Sequence, residues 1–96
     1  MNPLKRLKKA LNRNRQVTYQ ICILDGWTNT YNWRSPLYTD VSEAIAVAFE
    51  KQPPSNIMDG SSLSCKVRYQ TGDSSYSTLF GDIDFLKEIQ EYMETK

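Results

Sequence analysis

Histidine is absent from this chain of 96 residues, and cysteine occurs only twice. Histidine is the commonest general base and metal ligand, and it is the usual partner of a nucleophilic serine or cysteine. Two distant cysteines without histidine cannot form a zinc site of the usual composition. We therefore expect a protein that is not an enzyme and that has no metal site.

Glycine-rich nucleotide motifs and long apolar runs are also missing. The four glycines form neither a P-loop nor a Gly-x-Gly-x-x-Gly motif, so we expect no cofactor. No apolar run approaches the length of a membrane span, and no apolar region of a signal peptide follows the basic residues at the start. We expect no membrane span and a cytoplasmic protein, with a mitochondrial presequence as the less favoured alternative.

The two cysteines, Cys22 and Cys65, lie among apolar residues in apparent strands. Free cysteine is among the most buried residue types, so this setting favours two reduced thiols in the core. A single disulfide between the strands stays open as an alternative, because it requires only that the two strands are neighbours.

Positive charge is concentrated at the start of the chain, although the formal net charge of the whole is only +1. The first fifteen residues contain no acid and six bases, which are Lys5, Arg6, Lys8, Lys9, Arg13 and Arg15. Residues 80–96 contain five acids and two bases. A basic segment is a candidate surface for an anionic partner, and opposed charge poles could also join copies of the chain into a homo-oligomer.

The spacing of apolar residues predicts three helices and four strands. Asn2 and Pro3 fit the cap and the first position of a helix. Leu4, Leu7 and Leu11 then form one apolar stripe, with the bases on the remaining surface. Alternating apolar residues and turn signals predict strands at about residues 17–24, 31–34, 63–70 and 75–80. The two later helices have the apolar stripes Val41, Ala44, Ile45, Ala48 and Phe49, and Ile83, Leu86, Ile89 and Met93.

The resulting order is one helix, then ββα, then ββα. This order predicts the α+β class, with a four-stranded, mainly antiparallel sheet and the two later amphipathic helices packed on one face. We expect residues 1–15 to form a basic amphipathic N-terminal helix and residues 16–96 to form a single α+β domain. The N-terminal helix would cover an edge or the other face of the sheet, or stand free.

Acidic residues begin both of the later helices. Asp40 followed by Glu43 is a variant of the capping box. Asp82 and Asp84 lie in a first turn, where negative charge suits the helix dipole. The same Asp82-x-Asp84 pair could hold a divalent ion, and an enzyme with this acidic metal site is the third and least favoured hypothesis.

The segment from Trp27 to Tyr38 combines aromatic side chains with arginine, the residue types that dominate binding hot spots. The candidate partner-binding residues are Trp27, Tyr31, Arg34 and Tyr38. Aromatic rings beside arginine could equally stack on unpaired nucleic-acid bases. In the alternative interpretation, Tyr31 and Trp33 belong to the core and only Trp27 is exposed.

The N-terminal bases also allow two interpretations. If the leucine stripe docks on the domain and the bases stay outside, their positive charge remains available for phosphates. If the bases contact Glu88, Glu91 and Glu94 of the acidic last helix, that charge is neutralised within the molecule.

The leading functional hypothesis is a non-enzymatic small binding protein, an inhibitor, adaptor or regulatory subunit, that acts on a protein or nucleoprotein partner. The alternative is a nucleic-acid-binding protein that uses the six N-terminal bases on phosphates. Lys66 and Arg68 would add to that basic surface if their sheet face is open. In size and composition, and not in any motif, the chain is similar to phage- or plasmid-borne accessory proteins, including inhibitors of host defence.

Overall fold

The computed structural model describes residues 3–13, 16–52 and 60–95, with side chains from residue 5 onwards. Helices α1, α2 and α3 are Pro3–Asn12, Val41–Lys51 and Ile83–Glu94. Strands β1, β2, β3 and β4 are Val17–Asp25, Thr30–Arg34, Ser62–Gln70 and Tyr76–Gly81. The predicted cap Asn2, the side chain of Leu4 and the base Arg15 lie outside the described residues.

The four strands form one open antiparallel sheet with the order β2-β1-β3-β4, which confirms the predicted α+β class. The long central pair runs from Val17 opposite Tyr69 to Leu24 opposite Ser62. β2 lies at an edge of the sheet and ends before Pro36, as expected for a residue that cannot donate to a ladder.

One face of the sheet carries the core, and all three helices pack on it. Along β1 and β3 the inward side chains alternate with outward ones, and Tyr19, Ile21, Val67 and Tyr69 are all buried. α2 adds Ala44 and Ala48, and α3 adds Leu86 and Ile89, to the same cluster. The two later helices therefore pack on one face, as the alternating pattern predicts.

The first helix also docks on this face, so the prediction that it covers an edge or the other face of the sheet, or stands free, is wrong. Leu7 is fully buried and joins the common core with Ala10 and Leu11. On the side towards α3, the Tyr92 hydroxyl donates to Oδ1 of Asn12 at 2.8 Å, and the Lys8 ammonium lies 5.1 Å from the centre of the Tyr92 ring. α1 is thus a structural part of the sheet-and-helix core.

Acidic side chains cap the two later helices. Oδ1 of Asp40 accepts a hydrogen bond from the Ser42 N–H at 2.9 Å. Oδ1 of Asp82 accepts from the Phe85 N–H at 3.1 Å. Each cap satisfies one of the amide groups that a helix N-terminus leaves without an internal partner.

Two apolar residues lie outside the stripes to which their spacing assigns them. Phe49 at the end of α2 and Met93 at the end of α3 are both exposed. The ring of Phe49 lies under the Lys87 ammonium, 4.9 Å from its centre. The buried stripe of each helix therefore ends before its last apolar residue.

The chain that leaves β2 stays on the edge of β1. The Ser35 N–H donates to the Ile21 carbonyl at 2.8 Å, and Tyr38 and Tyr19 exchange two backbone hydrogen bonds of 2.8 Å. The buried Ser35 hydroxyl accepts from the Ile21 N–H at 2.9 Å and is also 2.8 Å from the Pro36 carbonyl, to which it donates. The Ser35 hydroxyl therefore accepts the hydrogen bond from the Ile21 N–H that a backbone carbonyl of a neighbouring strand would otherwise accept.

Candidate functional site

The sheet face opposite the helices is the candidate site, and we call it the open face. None of the described helices packs on it, because the single core cluster lies on the other side. Pairing register assigns fourteen strand residues to this face. They are Thr18, Gln20, Cys22, Leu24, Tyr31, Arg34, Ser62, Ser64, Lys66, Arg68, Gln70, Tyr76, Thr78 and Phe80.

The open face carries charge of one sign. Its bases are Arg34, Lys66 and Arg68, and none of the fourteen strand residues is an acid. Lys66 lies between Gln20 and Phe80 in register, and Arg68 lies between Thr18 and Thr78. Among these strand residues the positive charge therefore has no acidic counterpart, and a surface of this kind attracts anionic ligands.

Aromatic rings stand among these bases. Phe80 is 59 % exposed, Tyr76 is 41 % exposed and Tyr31 is 38 % exposed. The guanidinium carbon of Arg68 lies 4.4 Å from the centre of the Tyr76 ring, and that of Arg34 lies 4.9 Å from the centre of the Tyr31 ring. These are cation–π distances, and they hold two of the bases beside two of the rings.

A β-bulge brings Tyr31 and Arg34 to the same face. Trp33 is opposite Ile23, whereas Leu24 is opposite Tyr31, so Asn32 has no partner in the ladder. The extra residue reverses the alternation, and residues three apart come to lie on one side of the strand. Trp33 points to the helix side, where it packs against the core. The core interpretation is therefore correct for Trp33, and Tyr31 is exposed.

The two cysteines lie on opposite faces of the sheet. Cys22 is opposite Ser64 on the open face, whereas Cys65 is opposite Ile21 on the core face, and both are free and buried. Burial raises the pKa of the Cys22 thiol, against the opposing influence of Arg34 and Lys66. Burial, with Asp82 and Cys22 adding to it, raises the pKa of Cys65 to about 12. Both thiols are therefore in the neutral form at physiological pH, and no disulfide joins them.

Shallow depressions lie between the bases and the edge segment after β2. One of about 160 Å³ is lined by Gln16, Thr18, Leu37, Arg68 and Tyr76. An adjacent one of about 270 Å³ is lined by Thr18, Gln20, Leu37, Lys66 and Arg68. The exposed Leu37 gives both an apolar wall, so a ligand would find apolar surface and positive charge side by side.

The four predicted partner-binding residues do not form one patch. Trp27 is 78 % exposed on the β1–β2 turn, where its backbone N–H donates to Oδ1 of Asp25 at 2.9 Å. Tyr31 and Arg34 lie on the open face. Tyr38 pairs with Tyr19 and packs half-buried against the core on the helix side.

The N-terminal bases remain outside when the leucine stripe docks. Lys5, Arg6, Lys9 and Arg13 are exposed, and Lys8 is half-buried over the Tyr92 ring. Within the described residues, α1 contacts α3 through Tyr92 and not through an ion pair with Glu88, Glu91 or Glu94. The positive charge of α1 is thus available to a ligand.

The acidic residues Asp82 and Asp84 lie at the N-terminus of α3 in this structure. Asp82 is the N-cap and Asp84 lies in the first turn. In the described part of the chain, no group of three or more histidine, cysteine or acidic residues is placed to hold a metal ion. No helix among the described residues has the length and apolar character needed to cross a bilayer.

Tyr76 and Phe80 are site residues that the sequence did not single out. Their alternation with Thr78 places all three on one face of a strand, but it does not say which face the helices cover. The inward positions of β4 include Gly81, where an added Cβ would collide with the side chain of Phe85. Leu79, the next inward residue, packs against the core, whereas Tyr76 and Phe80 alternate with it and point outward.

No protein-family model, curated protein or solved structure matches the chain.

Proposed function

We propose that this chain is a non-enzymatic binding protein that holds single-stranded nucleic acid, bare or within a nucleoprotein, on the open face of its sheet. The observation that carries the proposal is the open face itself: three bases, three exposed rings and no acid among its strand residues. The α1 bases of the original nucleic-acid hypothesis lie on the helix side, so they are not part of this face.

The charge of the open face supports contact with phosphates. Arg34 lies on β2, and Lys66 and Arg68 lie on β3, with β1 between the two strands, so the positive charge is spread across the sheet rather than placed at one point. For single-stranded nucleic acid, the logarithm of the binding constant falls linearly with the logarithm of the salt concentration. The slope is about −0.7 per phosphate contact. If each of the three bases contacts one phosphate, the slope is about −2, which is the first quantity to measure.

The exposed rings support a preference for unpaired bases. A base can stack on an aromatic side chain only when it is not already stacked within a duplex. Such stacking contributes about 1–3 kcal/mol per base and tolerates any sequence, since every base has a π-face. Tyr76 and Phe80 on β4 are the most exposed rings of the face, and they stand beside Arg68 and Lys66 respectively.

Fluorescence anisotropy with labelled single-stranded DNA, single-stranded RNA and duplex DNA, at low and high salt, tests the proposal. We expect the single strands to bind more tightly than the duplex. Lys66→Gln or Arg68→Gln should make the salt slope less negative by about 0.7. The matched control is Lys87→Gln, an exposed base on α3 at the other side of the molecule. No binding at low salt, or an equal effect of Lys66→Gln and Lys87→Gln, would contradict the proposal.

A protein partner bound through Trp27 is the second candidate function. An indole that is 78 % exposed on a turn is a large apolar surface of the type that anchors interfaces. Affinity capture with the wild-type chain, Trp27→Ala and Tyr76→Ala separates the two candidates. A protein retained by Tyr76→Ala and lost by Trp27→Ala supports this second function, and equal recovery by all three chains contradicts it.

A further inference from the structure

A second basic site lies on the helix side of the molecule, between α1 and the β3–β4 hairpin. It is a groove of about 330 Å³. Three bases of α1, Arg6, Lys9 and Arg13, line one wall, and the polar residues Gln70, Thr71 and Ser77 line the other. The buried Ala10 lies between the bases, and its small side chain leaves the groove open.

The three bases converge because of their spacing along the helix. Positions 6, 9 and 13 are three and four residues apart, so their side chains project from one side of α1. Like charges at these separations destabilise an isolated helix by about 0.2–0.5 kcal/mol per pair. None of the residues that line the groove is an acid, so nothing in its described walls offsets this repulsion. A bound anion would remove it.

We propose that this groove is a phosphate-binding site. The guanidinium groups of Arg6 and Arg13 have the planar fork that matches phosphate oxygens, and Lys9 adds a point charge. The opposite wall offers hydroxyl and amide donors from Thr71, Ser77 and Gln70. The volume lies near the lower limit for small-ligand sites, which suits one phosphate group with its attached sugar rather than a larger molecule.

The phosphate has two chemical sources, a mononucleotide and the backbone of a polynucleotide. The backbone source rests on the proposed function, whereas the mononucleotide source does not. Gln70 is where the two surfaces meet, because it lines the groove and is also opposite Tyr76 in the ladder. A strand that crosses the open face along β3 and β4 could therefore pass over the hairpin end into the groove.

NMR titration with inorganic pyrophosphate at constant ionic strength tests the site directly. We expect saturable shifts at the amides of Thr71 and Ser77 and at the side chains of Arg6 and Arg13. Arg13→Gln and, separately, Arg6→Gln should each weaken binding about tenfold or more, the usual effect of losing a hydrogen bond to a charged group. Lys5→Gln is the control on the same helix, because Lys5 is exposed and does not line the groove.

Arg68→Gln keeps this test separate from the proposed function. This variant should leave pyrophosphate binding unchanged. The phosphate site in the groove can therefore be confirmed even if the open face binds no nucleic acid. Shifts that do not saturate, or an equal effect of Lys5→Gln and Arg13→Gln, would overturn the site. Oligonucleotides of about 4 and about 16 nucleotides then distinguish the two sources of the phosphate. A larger effect of Arg13→Gln on the longer one indicates backbone phosphate. No effect on either, together with saturable binding of a nucleoside monophosphate that Arg13→Gln weakens, indicates a mononucleotide.

Discussion

The guanidinium of Arg68 lies over the ring of Tyr76, with its central carbon 4.4 Å from the ring centre. The two residues belong to neighbouring strands and are offset by two positions in the register, where Gln70 is opposite Tyr76 and Arg68 is opposite Thr78. The contact favours this placement of both side chains before any ligand arrives, so less conformational entropy is lost on binding. The open face thus presents the Arg68 guanidinium and the Tyr76 ring side by side.

Removing the Tyr76 ring should weaken single-strand binding without changing its dependence on salt. Tyr76→Ala loses a stacking surface worth about 1–3 kcal/mol, which is roughly a 5- to 150-fold loss of affinity. Phe80→Ala should act in the same way, whereas Tyr76→Phe keeps the ring and should bind nearly as well as the wild type. Anisotropy titrations at two salt concentrations measure both quantities. A Tyr76→Phe chain as weak as Tyr76→Ala would mean that the hydroxyl, and not the ring, is what matters.

Truncation of Leu7 should destabilise the whole protein. Leu7 is fully buried and packs in the common core, so Leu7→Ala should lower the free energy of unfolding by about 2–5 kcal/mol. Urea unfolding followed by circular dichroism measures the change. The exposed Lys5 on the same helix provides the control, with an expected change of about 0.5 kcal/mol or less for Lys5→Ala. Equal stability of the two variants would show that α1 does not contribute to the core in solution.

Ser35→Ala should remove the hydrogen bond that closes the edge of β1. The variant leaves the Ile21 N–H without its 2.9 Å acceptor in a buried position, which costs about 1–3 kcal/mol. Chemical unfolding measures the loss, and amide hydrogen exchange should accelerate at Ile21. Ser74→Ala, at an exposed position of the β3–β4 turn, is the matched control. An unchanged exchange rate at Ile21 would argue against this bond.

Alkaline pH should destabilise the fold. Burial, with Asp40 adding to it, raises the pKa of Tyr19 from 10.0 to about 12. Burial, with Asp82 and Cys22 adding to it, raises the pKa of Cys65 from 9.0 to about 12. Between the ordinary and the raised pKa values the unfolded chain binds fewer protons than the folded chain, so stability falls as pH rises. The contribution is fully present below pH 9 and is lost between about pH 9 and 12.

Tyr19→Phe isolates the tyrosine part of this effect. The raised pKa of Tyr19 from 10.0 to about 12 corresponds to roughly 2–3 kcal/mol at high pH, so the variant should lose that much less stability than the wild type between about pH 10 and 12. Urea unfolding midpoints across this range provide the measurement. Parallel pH profiles for the variant and the wild type would show that Tyr19 is not protected from ionisation in the folded state.

Much of the fold follows from local pattern. The alternation of Leu63, Cys65, Val67 and Tyr69 predicts a strand with one buried face, and Cys65, Val67 and Tyr69 are buried. Asp82 followed by an apolar stripe predicts the start of α3, where Asp82 is the cap. These features depend on residues close in sequence, so the periodicity of the chain is enough to predict them.

The candidate site depends on features that local pattern does not determine. The sequence predicts a role for Lys66 and Arg68 only if their face is open, and it does not mark Tyr76 and Phe80 as site residues. The aromatic segment predicts Tyr31 and Arg34 as binding residues, but their common face depends on a bulge at Asn32 that no sequence pattern indicates. Strand alternation fixes which residues share a face and leaves undetermined which face the helices cover.

The sequence by itself determined the element order, the helix caps, the basic helix and the buried alternation of the central strand. Only the tertiary structure decided that α1 joins α2 and α3 on one face, and that the other face keeps its bases and rings exposed. The physical reason is that a helix or strand has a periodicity of its own, whereas burial depends on a second element. The positive charge at the start of the chain is visible in the composition, but the basic face of the sheet exists only because pairing with β1 brings Arg34 of β2 to the same face as Lys66 and Arg68 of β3.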